Sequence, residues 1–162
     1  REVVELRKLK LVSPMLETLA AELRRKRGDA DGAIRLLRAA RGSYPEDRAV
    51  AYALIDTLQD AGRNADALTV ASEDLLAYPS DPLMHLKQAK SYAGLGQRAQ
   101  QHRAQGEAYA LQGQTAEAVV QYELAQRAGD GDYYAQARID ARLRELKQRR
   151  TEELRQARAN RQ

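Results

Sequence analysis

Residues 44–96 read YPEDRAVAYALIDTLQDAGRNADALTVASEDLLAYPSDPLMHLKQAKSYAGLG. Within this stretch Tyr44-Pro45 returns as Tyr78-Pro79 and Gly62 returns as Gly96, each at the same interval. Outward from it, Gly28 precedes Gly62 by that interval again, and Ala33 and Ala67 keep the step. Each mark has a physical reason. Gly supplies a positive φ where a first helix ends. Pro stops a second helix and fixes φ for the next turn. Small residues between the marks let two helices approach closely.

The interval is that of the tetratricopeptide repeat (TPR), a unit of helix, Gly turn, helix and Pro turn about 34 residues long. Frames fall at 14–47, 48–81 and from 82 onward, with a last frame opening at 99. Their small eighth position holds Ala21, Ile55, Ala89 and Gly106, and their bulky eleventh position holds Arg24, Leu58, Tyr92 and Tyr109. The first frame is degenerate, as terminal repeats often are. The expected fold is all-α: a TPR α-solenoid, a right-handed superhelix of antiparallel helix pairs, with a half-repeat irregularity and a long C-terminal helix.

The irregularity lies between Gly96 and Gly113, which are separated by only half a repeat. Segment 98–111 follows a first helix, yet Gly106 and Tyr109 mark it as a first helix itself. It is expected to serve both roles, as partner of 82–95 and of 115–128, with the superhelix bending there. Such a bend either shapes a docking pocket or records a lost helix. Helices are predicted near 2–12, 14–27, 30–42, 47–61, 65–77, 81–95, 98–111, 115–128 and 132–158. The last reads as amphipathic through Tyr134, Ala137, Ile139, Leu143 and Leu146, with no face to bury beyond. The organisation is a connecting helix at 1–13, a TPR domain at 14–146 and a basic solvated helical tail at 147–162.

Composition agrees. Helix formers dominate, and the 162 residues include 10 Gly, 4 Pro and no Trp, Phe or Cys. The absence of Cys excludes disulfides and thiolate metal sites. No apolar run approaches the roughly 18 residues of a membrane-spanning helix, so direct membrane insertion is not expected. The chain opens at Arg1 without a signal-peptide pattern and reads as a segment of a longer one. Net charge is +4, but residues 142–162 carry eight basic against three acidic groups, and the remainder 19 against 20. The high pI therefore belongs to the tail. The tail lacks interleaved aromatics and carries acids at helical spacing, so a solvated helix is preferred over a nucleic-acid binder.

Catalytic and metal constellations are absent from the pattern. His85 and His102 are half a repeat apart, each at a helix-packing position, and form no His-Glu-x-x-His motif. Gly129-Asp130-Gly131-Asp132 lacks the ligand pattern of a calcium loop and reads as a turn in which Asp132 caps the last helix. Arg27-Gly28-Asp29 is explained by its turn glycine. The run Arg24-Arg25-Lys26-Arg27 is better read as complementing a helix C-terminus than as an anion patch.

Function is therefore sought on the concave face, which the second, fifth, ninth and twelfth positions of the first helices line. The candidate protein-binding groove is Tyr52, Asp56 and Gln59, then Leu86 and Lys90, then Arg103 and Glu107, bordered by Lys87. Mixed charge with one aromatic suits a protein or peptide partner better than nucleic acid. The carboxylate clamp of chaperone cofactors needs Lys, Asn, Lys and Arg where this chain has Thr18, Glu22, Leu83 and Lys87, so chaperone-tail capture is rejected.

Further motifs carry a narrower resemblance. They are Tyr78-Pro79-Ser80-Asp81-Pro82, His102-Arg103-Ala104-Gln105-Gly106-Glu107-Ala108-Tyr109, Gln121-Tyr122-Glu123-Leu124-Ala125, and Gly131-Asp132-Tyr133-Tyr134 with Ile139-Asp140-Ala141-Arg142-Leu143-Arg144-Glu145-Leu146. Over roughly residues 30–148 the chain resembles the C-terminal TPR domain of bacterial periplasmic zinc metalloproteases called beta-barrel assembly-enhancing proteases. The resemblance implies a periplasmic parent peptidase that aids outer-membrane β-barrel assembly. Its zinc would sit in an upstream domain, so this segment would hold no cofactor and would not be an enzyme alone. Implied partners are that protease domain and the outer-membrane assembly machinery or its clients. The alternative is a free-standing TPR scaffold or chaperone in envelope assembly or secretion.

Overall fold

The computed structural model describes residues 13–160. The helix expected at 2–12 lies outside them. Among the described residues there are eight α-helices and no strand. They are α1 (Pro14–Lys26), α2 (Ala30–Ser43), α3 (Arg48–Asp60), α4 (Asn64–Ala77), α5 (Pro82–Gly94), α6 (Arg98–Leu111), α7 (Thr115–Ala128) and α8 (Tyr133–Ala159). The all-α repeat expectation is borne out.

The glycine turns follow one plan. Gly28, Gly62, Gly96 and Gly113 have φ of 79°, 72°, 73° and 75°. After each, the next amide reaches back to the carbonyl of the residue at frame position eleven. The bonds are Asp29 to Arg24 (3.0 Å), Arg63 to Leu58 (2.8 Å), Gln97 to Tyr92 (3.0 Å) and Gln114 to Tyr109 (2.9 Å). With each glycine amide bonded three residues back, these are Schellman caps that satisfy the helices' last carbonyls. Five of the helix starts are capped by side chains, of Ser13, Asp29, Asp47, Asp81 and Asp132, accepting from the first-turn amides.

The chain divides after Asp74 into two compact units. In the first, α1 packs on α2 and on α3, and α2 packs on α3. Its core includes Ala21, Ala33, Ile34, Leu37, Leu54 and Leu58. Ion pairs between groups about one repeat apart brace it: Arg25 with Asp60, Arg41 with Asp74, Arg38 with Asp66 (3.1 Å) and Arg63 with Asp31 (3.4 Å).

In the second unit α6 packs against both α5 and α7, and α7 packs against α8. The double role expected of 98–111 is therefore present. Tyr122, Val119, Ala125, Ile139, Leu143 and Leu146 are central to its core. The Tyr122 ring lies over Gly106, where an added Cβ would stand 2.5 Å from a ring carbon.

One expectation fails in α8. The sequence pattern puts Tyr134 and Ala137 on its inner face, but Tyr134 is 74% exposed and Ala137 is exposed as well. The buried stripe is Ala135, Ile139, Leu143 and Leu146, spaced four, four and three residues apart. Asp132 caps the helix through the Ala135 amide at 2.7 Å, and Tyr134 meets Tyr133 edge to face at 5.8 Å.

Candidate functional site

The first unit contains an open cleft of about 420 Å³, which α1 and α3 border. Met15, Leu19 and Ala53 give it an apolar surface above the buried Leu37, and Thr18, Glu22, Arg25 and Asp56 add polar and charged groups. Met15 is 73% and Leu19 43% exposed, so among the described residues this apolar surface has no cover. Glu22 is held by Lys26 at 2.8 Å one turn along, and Arg25 by Asp60. These pairs offset part of the charge on the rim.

Asp56 is the expected groove residue that lines this cleft. Tyr52 is half-buried on the same helix, and Gln59 is buried. In the second unit Leu86 and Lys90 lie one turn apart on α5 and are exposed, with Lys87 half-buried between them. Arg103 and Glu107 lie one turn apart on α6. The Arg103 guanidinium donates from Nε to Gln100 at 2.7 Å.

Glu107 is drawn inward. Its carboxylate accepts Nε–H and a terminal N–H of Arg142 at 3.0 Å each, and the hydroxyl of Tyr122. Burial works against its charge, but the hydrogen bonds from Arg142 and Tyr122 hold its pKa below the ordinary carboxylate value. Burial, then the charge and hydrogen bond of Glu107, push the Tyr122 phenol well above its usual range. This cluster joins α6, α7 and α8.

Of the cleft residues outside the groove expected from sequence, four share its register. Met15, Thr18, Glu22 and Arg25 are the second, fifth, ninth and twelfth positions of the first frame. The offset rule that selects groove residues in the later frames selects these four as well, and two of them, Thr18 and Glu22, stand at the positions a carboxylate clamp would use.

The histidines serve packing. His85 donates from Nε2 to the Pro79 carbonyl at 3.0 Å, and His102 from Nδ1 to Gln121 Oε1 at 2.9 Å. Among the described residues no group of three His, Cys, Asp or Glu is arranged to hold a metal ion, so a zinc site does not fit here. No described helix is long and apolar enough to cross a membrane.

Residues 24–91 match the family described as Tetratricopeptide repeat. No curated protein matches the chain significantly. Among solved structures the chain is similar to MamA 41-end from Desulfovibrio magneticus RS-1, with 18% identity over 84% of this chain and 76% of that one, at a TM-score of 0.56. At that identity the likeness speaks for fold alone. Together with the recurring glycine interval, the four equivalent caps and the helix pairing, these matches establish an all-α tetratricopeptide-repeat fold.

Proposed function

We propose that the chain is a protein-docking domain whose first-unit cleft receives an extended or helical segment of a partner. The carrying observation is the cleft itself, with exposed Met15 and Leu19 beside Glu22, Arg25 and Asp56. Apolar area with a few fixed polar groups is what a docking pocket for a side chain needs. Glu22 and Asp56 make it a poor host for a terminal carboxylate, consistent with the missing clamp residues.

The finer reading is an accessory domain of a periplasmic zinc metallopeptidase that engages the outer-membrane β-barrel assembly machinery or its clients. Its support is the resemblance across Tyr78–Pro82, His102–Tyr109 and the Asp132-Tyr133-Tyr134 opening of α8. On this reading the parent's zinc chemistry belongs to a separate domain and this chain supplies recognition. The test is capture from detergent-solubilised bacterial envelope by the immobilised chain, beside a Leu19→Glu plus Asp56→Arg variant. Recovery of barrel-assembly components or unfolded barrels, lost in the variant, supports both readings. Recovery of other partners, lost in the variant, keeps the cleft and rejects the protease-accessory reading. Recovery unaffected by the variant rejects the cleft.

A further inference from the structure

The end of α8 carries segregated charge. It is one continuous helix to Ala159, and every residue from Lys147 to Ala159 is exposed. At about 3.6 residues per turn, Arg144, Lys147, Arg150, Arg155 and Arg158 fall on one half of its circumference. Glu145, Glu152 and Glu153 fall on the other half. Glu145 is paired with Arg142 at 2.7 Å, and Glu153 binds both Thr115 (2.8 Å) and Arg149 (2.9 Å). The basic half is thus a stripe about 21 Å long from Arg144 to Arg158, at ~1.5 Å per residue. A lone apolar side chain, Leu154 at 53% exposure, stands within it.

The inner end of this stripe already meets a carboxylate. Glu123 of α7 accepts from Lys147 at 2.8 Å. The Lys147 hydrogen bond, with a contribution from the charge of Arg150, holds the Glu123 carboxyl below its ordinary value. The neighbouring helix therefore places a carboxylate on the inner part of the stripe. α7 starts at Thr115, which bonds Glu153, so the stripe outruns α7. Arg144, Arg155 and Arg158 have no ion pair among the described residues, and Leu154, Arg155 and Arg158 lie past α7's end.

We propose that the stripe of α8 from Arg150 to Arg158 docks an acidic helix of a partner protein, which continues along α8 from where α7 stops. Carboxylates repeated every three or four residues on such a helix meet the cations at matching intervals. Arginine suits this role because its planar fork takes a carboxylate by two bonds. Leu154 decides between protein and polyanion: an apolar side chain of a partner helix can cover it, whereas a phosphodiester backbone cannot. No aromatic interleaves the cations to stack a base. The stripe shares no residue with the first-unit cleft, so the two proposals fail independently.

The test uses the full chain and three probes by fluorescence anisotropy and co-sedimentation at moderate salt. They are a helical peptide about 20 residues long with Glu at three- and four-residue spacing around one Leu, an oligothymidylate of similar length, and vesicles of equal phosphatidylcholine and phosphatidylglycerol. The peptide is expected to bind best. Arg150→Glu with Arg155→Glu should weaken it about tenfold or more, and Leu154→Ser about threefold, with helicity by circular dichroism unchanged because these side chains are exposed. A peptide with Lys in place of Glu should bind the charge-reversed variant better than the original chain. Tighter binding of oligonucleotide or vesicles than of peptide, indifference to Leu154→Ser, failure of the charge swap, or no peptide binding would each overturn the proposal.

Discussion

Glu107 illustrates how a surface offset becomes an internal joint. Its position in the last frame directs it toward a groove, but Tyr122 and Arg142, 15 and 35 residues away, claim its carboxylate. Neither partner is visible from local spacing, whereas Asp56 has an open cleft beside it. Replacing Glu107 by Gln should cost about 1.5–3 kcal/mol at neutral pH, the range for hydrogen bonds to charged groups, read as a lower urea midpoint. Its folded pKa is depressed, so its stabilisation is fully present above the unfolded value of about 4.3 and is lost as pH falls through the folded one. The original chain should therefore lose stability on acidification below that range, and Glu107→Gln should flatten the slope. An equal slope in both proteins would reject this assignment. Beside it, Gly106 allows the Tyr122 ring its close approach. Gly106→Ala puts a methyl 2.5 Å from the ring and should cost about 1–3 kcal/mol by overpacking, measured by the same titration.

At the scale of the helix, ends are more legible than partners. Glycines one repeat apart mark where α1, α3 and α5 stop, because only a positive φ completes those caps. The half-step to Gly113 likewise reveals α6 and its two neighbours. The inner face of α8 is less legible: Tyr134 and Ala137 fit a helical period as well as Ala135 does, and packing chooses between them. Least legible is the start of α6. Its own Gln97 makes no side-chain cap. Instead the amides of Arg98 and Ala99 donate to the two carboxylate oxygens of Asp130, at 2.5 and 2.8 Å, from the turn before α8. The local pattern of that stretch shows only a turn and assigns its capping to Asp132 alone. Asp130→Ala should destabilise the second unit by about 1 kcal/mol, a typical N-cap loss. Hydrogen exchange should accelerate first at the amides of Arg98 and Ala99. Unchanged exchange there would show that the cap contributes nothing.

For the whole molecule, the core of the second unit ends at Leu146 along α8, and the helix beyond contributes charge, the Lys147–Glu123 pair and the bond from Thr115 to Glu153. Removing residues 148–162 should therefore cost about 1 kcal/mol or less in a urea titration, while abolishing acidic-peptide binding. A large loss of stability would mean that α8's outer end is structural. The remote cap of α6 also bears on how the chain is made. Residues 98–111 are synthesised before Asp130 has been joined to the chain, so their first amides lack this acceptor meanwhile. At translation speeds of ~5–20 residues per second, the 31 residues from Ala99 to Asp130 take roughly 2–6 s. Nascent α6 is a helix in waiting for that interval, its first amides without the Asp130 acceptor until α7 and the turn behind it have been synthesised.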